Sequence, residues 1–200
     1  MMGQLWDSLA APAGLLAATT AAARGNRSRP DVARFMMNLE LELVRLSREL
    51  DTDTYSPGGY RVFEICDPKP RQISAAPFRD RIVHHAFTRL VEPVFESIFS
   101  SDSYACRRGF GTHLAIKGAR RAAKRFGCVL KCDIQKYFAS IDHCILVNLL
   151  EKRIDCTRTL DLARLIISSS NEQEPQFRYY PGTQPLVWSE ESVVVAMEFD

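Results

Sequence analysis

The sequence predicts an α+β fold, rich in helix, with a small antiparallel sheet. Three observations predict it. Most long segments carry apolar residues at helical spacing. Two short alternating runs flank an Asp-Pro-Lys-Pro turn. One further short apolar run, Cys128 to Ile134, reads as a strand followed by a helix.

Each element follows from local chemistry. Leu5 to Ala23 is apolar and reads as a helical N-terminal extension; Asp7 interrupts it, no Lys or Arg precedes it, and Pro12 and Gly14 break it. These features argue against a secretory leader and against a membrane span, so a cytoplasmic protein with no membrane partner is expected. Residues 24–30 form a polar, basic linker. Phe35, Leu39, Leu43, Leu46 and Leu50 then define one amphipathic helix over 31–50. Residues 51–59 are turn chemistry, Tyr60 to Cys66 alternates as a strand, Asp67 to Pro70 turns, and Arg71 to Ala75 returns. Pro77 opens a long helix from Phe78 to about Phe99, with Pro93 inside it. Gly109 and Gly111 mark a loop, and Thr112 is placed to cap a helix running to about Phe126. Gly127 stops that helix. Ser140 or Asp142 caps the next, at about 142–153, and another follows at 157–168. Beyond Ser168 the chain turns polar, and Trp188 to Asp200 shows no structural pattern.

With 200 residues, 46% hydrophobic and 25% charged, the composition is that of a globular protein of one domain or one domain plus an extension. The net charge of +2 is uninformative, but its distribution is not. Between Ser103 and Cys132 there are eight cations (Arg107, Arg108, Lys117, Arg120, Arg121, Lys124, Arg125, Lys131) and no acid. From Asn171 to Asp200 there are six acids and one Arg. A basic middle suits a polyanion partner, and equally a solvated helix face. The six cysteines form no Cys-x-x-Cys pair and the four histidines show no zinc spacing, so reduced structural thiols are expected. His84 and His85 read as packing and surface residues of the long helix, Asp142 as a helix cap. No Ser-His-Asp or Cys-His spacing calls for a nucleophile.

The sharpest chemical feature is Asp133, a carboxylate at the end of the strand at 128–134. A strand-end carboxylate can hold a hard divalent cation; it can also simply accept backbone hydrogen bonds. Its surroundings resemble a known family. The run Phe63–Ala86, with Asp-Pro-Lys-Pro-Arg-Gln-Ile and Asp-Arg-Ile-Val-His-His inside it, is similar to the fingers segment of bacterial reverse transcriptases of the group II intron, retron and diversity-generating lineage. Ser101–His113 resembles that lineage's next block, and Val129–His143 its first palm motif. The likeness covers about residues 30–180, including Ser169–Pro175 and Tyr179–Gly182.

The resemblance implies the helix-rich fingers and partial palm of a right-hand polymerase, with an incomplete antiparallel sheet: extension 1–29, fingers 30–127, first part of the palm 128–185, and a divergent tail 186–200 with no thumb. It implies RNA-directed DNA synthesis by a two-metal mechanism, with magnesium or manganese, deoxynucleotides, an RNA template and a DNA or RNA primer. Asp133 matches the first catalytic metal-binding aspartate and the Ile134 carbonyl its companion ligand. Phe138 matches the aromatic gate beneath the nucleotide sugar; read without the family it is a core aromatic. Lys69, Arg71 and Arg81 match the cations presented to the triphosphate. Arg107, Arg108 and Lys131, with Arg120, Arg121 and Lys124 on the basic helix, favour template or primer backbone contacts. The family's Tyr-x-Asp-Asp motif has no counterpart, since the sequence contains no Asp-Asp pair. The expectation is therefore a chain truncated before that motif and inactive by itself, its strand at 128–134 left unpaired; the alternative is a non-catalytic nucleic-acid-binding fragment.

Overall fold

A computed structural model describes residues 3–67, 69–132, 137, 141–170 and 193–195. They fall into two compact units, one of residues 1–95 with 143–172, the other of residues 96–142 with 173–200.

The first unit is a helical core bearing a hairpin. Helices α1 (Gly3–Ala10) and α2 (Pro12–Ala22) are joined by Ala11, and Pro12 stands at the start of α2, where its missing N–H leaves no bond unmade. The two helices meet closely at Gly14: a Cβ there would lie 1.9 Å from the Ser8 carbonyl oxygen. The N-terminal segment is part of the core. Trp6, Leu9, Leu15 and Ala18 are buried in one apolar cluster with residues of the helices that follow.

The amphipathic segment expected as one helix is two, α3 (Pro30–Met37) and α4 (Leu39–Asp51). The break is at Asn38, whose backbone leaves the helical region (φ −116°, ψ 28°). Its N–H bonds the Phe35 carbonyl, a tighter, three-residue turn. The apolar spacing survives the break, because Val32, Phe35, Leu43, Leu46 and Leu50 all reach the core. Helix α5 (Phe78–Glu96) adds Phe78, Ile82, Val83 and Ala86, and Phe35 meets Phe78 edge to face at 5.3 Å. Pro93 lies inside α5, and the Pro77 carbonyl accepts the first helical bond from the Arg81 N–H at 3.0 Å.

Helices α7 (His143–Glu151) and α8 (Thr157–Ser168) complete this unit, with Asp142 directly before α7. Arg158 of α8 donates to the Leu50 and Asp51 carbonyls at 2.9 and 2.8 Å, satisfying the open end of α4, and lies 4.5 Å over the Trp6 ring.

Strands β1 (Arg61–Asp67) and β2 (Lys69–Ala75) pair antiparallel from Arg61↔Ala75 to Asp67↔Lys69. The ladder runs further toward the tip than the expected turn at 67–70. Both faces of β1 are open: Val62, Phe63 and Ile65 are all exposed.

The second unit holds helix α6 (Thr112–Arg125) and strand β3 (Leu130–Cys132). Thr112 is not the cap of α6. That position is Gly111, at φ 131°, a conformation that disfavours any side chain, and Thr112 is the first helical residue. Strand β3 is also not unpaired. It pairs antiparallel with β4 (Val193–Val195), in the stretch expected to be patternless, with Leu130 opposite Val195 and Cys132 opposite Val193. Three successive β-branched residues carry the β-propensity that the polar surroundings obscured. No helix among the described residues is long and apolar enough to cross a membrane.

Candidate nucleic-acid interface

Helix α6 concentrates the basic run. At 3.6 residues per turn, Lys117, Arg120, Arg121, Lys124 and Arg125 fall within an arc of about 140°. All five are exposed, α6 buries no residue, and no acid occurs in its sequence. By the same spacing, Ala115, Ala119 and Ala122 fall on the opposite side. Lys124 and Arg125 occupy the last turn, where the helix dipole favours cations.

Ahead of α6, the loop at 97–111 is organised by Arg107. Its Nε and Nη2 donate to Glu96 at 2.9 and 2.7 Å, and its Nη1 donates to the Ser100 and Ser103 carbonyls at 2.6 and 2.8 Å. The guanidinium also lies 4.0 Å over the Phe110 ring. Its side chain is 7% exposed, and its donors serve Glu96 of α5 and the loop. Arg108, the next residue, is exposed, and so is Lys131 in β3.

The other sequence-predicted cations belong to the first unit. Lys69 and Arg71 sit in β2, opposite Asp67 and Ile65. Arg81, in the first turn of α5, approaches Asp31 at 3.6 Å and lies 5.2 Å over Phe78, while its Nε is buried with no hydrogen-bond partner among the described residues. Asp133, Ile134 and Phe138 lie outside the described residues. Among the described residues no three His, Cys, Asp or Glu side chains converge as a metal site.

Sequence reasoning missed one feature. Asp80, in the first turn of α5, is 2% exposed and accepts from the Tyr55 hydroxyl and the Gly58 N–H, both at 2.8 Å. Burial, then the Asp80 hydrogen bond, pushes the Tyr55 phenol far above its ordinary range. Burial also raises Tyr60 and lowers His84. An acid in a first helical turn is ordinary N-terminal chemistry, so nothing in the sequence marked Asp80 as buried.

No family model matches the sequence. Individual proteins do. The chain is 29% identical to Protein YkfC of Escherichia coli (strain K12) over 147 residues, 70% of this chain and 39% of that protein. It is 28% identical to Nuclear intron maturase 1, mitochondrial, of Arabidopsis thaliana over 48% of this chain and 14% of that one. It is 24% identical to Group II intron-encoded protein LtrA of Lactococcus lactis subsp. cremoris over 72% of this chain and 25% of that one. The chain thus spans well under half the length of these relatives, and it is similar over about half of its own length to an intron maturase and over 72% of it to a group II intron-encoded protein.

Proposed function

We propose that this chain is the fingers and first palm segment of a reverse-transcriptase-like protein of the intron-encoded kind, and that it grips RNA through α6. The observation that carries the reading is the exposed, acid-free basic face of α6, in a chain similar to intron maturases. Cations spread along one side of a helix of about 21 Å can follow a phosphate backbone with no demand on base sequence. Arg108, exposed in the loop that precedes α6, is a further cation for the same contact. Arg107 holds the preceding loop, and so shapes the surface rather than touching the ligand.

The family relation further suggests that Asp133 and the Ile134 carbonyl would hold a divalent ion such as magnesium, with Lys69, Arg71 and Arg81 toward a triphosphate and Phe138 against its sugar. When bound, such ions activate the attacking hydroxyl and stabilise the leaving phosphate. One carboxylate and one carbonyl suit a single hard cation. A close pair of cations needs further acids to offset their repulsion, and these 200 residues contain no Asp-Asp pair. That observation favours, as a second reading, an RNA-binding role without catalysis by this chain.

Two measurements test the proposal. Titration of a labelled RNA should show binding that weakens steeply with salt and varies little with sequence. Primer extension on an RNA template with magnesium or manganese should show no synthesis, and Asp133→Ala should leave RNA affinity unchanged. Absence of binding at low salt would refute the RNA-gripping role. Robust synthesis abolished by Asp133→Ala would replace the second reading with full polymerase activity.

A further inference from the structure

We infer that Asp80 is a positioning residue that clamps the base of the β1–β2 hairpin to α5 and so sets the direction in which the hairpin leaves the core. This deepens the proposed function and depends on it only for what the hairpin contacts.

The hairpin has two roots. At the β2 end, the chain passes from Ala75 through Ala76 and Pro77 directly into α5. At the β1 end, covalent continuity leads back to α4 through residues 52–60, with no regular structure after Asp53. Asp80 closes that open root. Its two carboxylate oxygens take different donors: Oδ1 accepts from the Tyr55 hydroxyl and Oδ2 from the Gly58 N–H, each at 2.8 Å. Both bonds reach back more than twenty residues to the segment that enters β1.

The surroundings are built for this arrangement. Asp80 and Tyr55 are both buried, so the bond between them is shielded from water, while the Gly58 bond is part-buried. Gly58 is tight against the clamp: a Cβ there would stand 3.0 Å from Pro77 Cγ and 3.3 Å from Asp80 Oδ2. Arg79 lies 5.4 Å over the Tyr55 ring and is ion-paired with Glu49 of α4, so the ring that donates the hydroxyl is itself held between α4 and α5.

The hairpin needs such a root. Both faces of β1 are exposed, and an isolated two-stranded hairpin is marginal in water. Its orientation is therefore decided where it joins the core, and Asp80 is the side chain that joins the free strand there.

Hydrogen–deuterium exchange on the full chain tests this without any ligand. In Asp80→Ala, amides of Arg61–Ala75 should exchange about tenfold faster or more, while those of α4 and of α5 beyond its first turn keep their protection. Asp80→Asn, which can still accept from Gly58 and donate to the Tyr55 oxygen, should restore most of the protection. Tyr55→Phe should give a smaller acceleration confined to the same residues, and it decides the matter if Asp80→Ala does not fold. Unchanged hairpin exchange in Tyr55→Phe together with either a folded Asp80→Ala of unchanged exchange or an unfolded one would overturn the clamp. RNA titration of the same variants is a separate arm: loss of RNA binding by the unsubstituted chain would refute the proposed function and leave the exchange result standing.

Discussion

Replacing Arg120, Arg121, Lys124 and Arg125 together by Gln tests the α6 face directly. Gln is nearly as good a helix former as Arg or Lys, and α6 buries no side chain, so packing is untouched. The cost to the helix includes two cations lost from the last turn, about 0.3–1 kcal/mol each, and the Arg125 stack 5.2 Å over Phe126. Far-ultraviolet circular dichroism should therefore be nearly unchanged. RNA binding should not be. Each phosphate contact contributes roughly 0.7 to the log–log salt slope on single strands and roughly 0.9 on duplex. Losing four contacts lowers the slope by roughly 2.8–3.6, so a fourfold rise in salt should weaken the unsubstituted chain roughly 50- to 150-fold more than the variant. Fluorescence anisotropy across a salt series measures both slopes. A variant whose slope stays within about one of the original, with its helix content intact, would show that α6 is a solvated face and that RNA, if bound, is held elsewhere.

Three further outcomes are expected. Gly14→Ala forces a Cβ to within 1.9 Å of the Ser8 carbonyl oxygen, so α1 and α2 must separate; thermal melts should show a loss of about 1–3 kcal/mol or more. Arg107→Lys keeps the charge but cannot reach Glu96 and two carbonyls at once, and should destabilise the 97–111 loop by about 2 kcal/mol, read as faster local proteolysis between Ser97 and Phe110. Burial holds the His84 imidazole below its ordinary value near 6.5, so the unfolded chain binds more protons in that interval. Stability from His84 is thus complete above about pH 6.5 and falls as pH drops below it, and His84→Gln should flatten that part of the urea-midpoint profile.

Much of the helical framework was legible because burial imposes a period. Leu43, Leu46 and Leu50 face one core, and their spacing announces the helix. The break at Asn38 was not legible, because the apolar pattern continues across it with little change of phase. The hairpin was legible from alternation and from Asp-Pro-Lys-Pro, although alternation suggests one buried face and β1 has none. Strand β4 was hidden because Val193–Val195 is too short to show a period, and its partner β3 is remote in sequence. At the candidate interface, the cations of α6 were visible as a charge run. The internal use of Arg107 was not, since a guanidinium bound to Glu96 and one free for phosphate look the same in a sequence. Asp80 was missed for a related reason: its partners, Tyr55 and Gly58, are supplied by the tertiary fold.

Helix α6 and the hairpin, two exposed parts of the fold, have little stability of their own. Helix α6 has 14 residues and no buried side chain, a length at which an isolated helix is marginal. The hairpin is two strands with an open β1. Each is tied at its root instead: the hairpin by Asp80, and the loop ahead of α6 by Arg107. Both ties are charged groups whose hydrogen bonds stay within the protein. Under the proposed function, α6 gains order when phosphates neutralise its cations, because binding then adds to a small local folding free energy. Under the proposed function, roles divide by burial: enclosed charges such as Asp80 and Arg107 fix geometry, and exposed ones such as Arg120 and Arg121 supply attraction at long range.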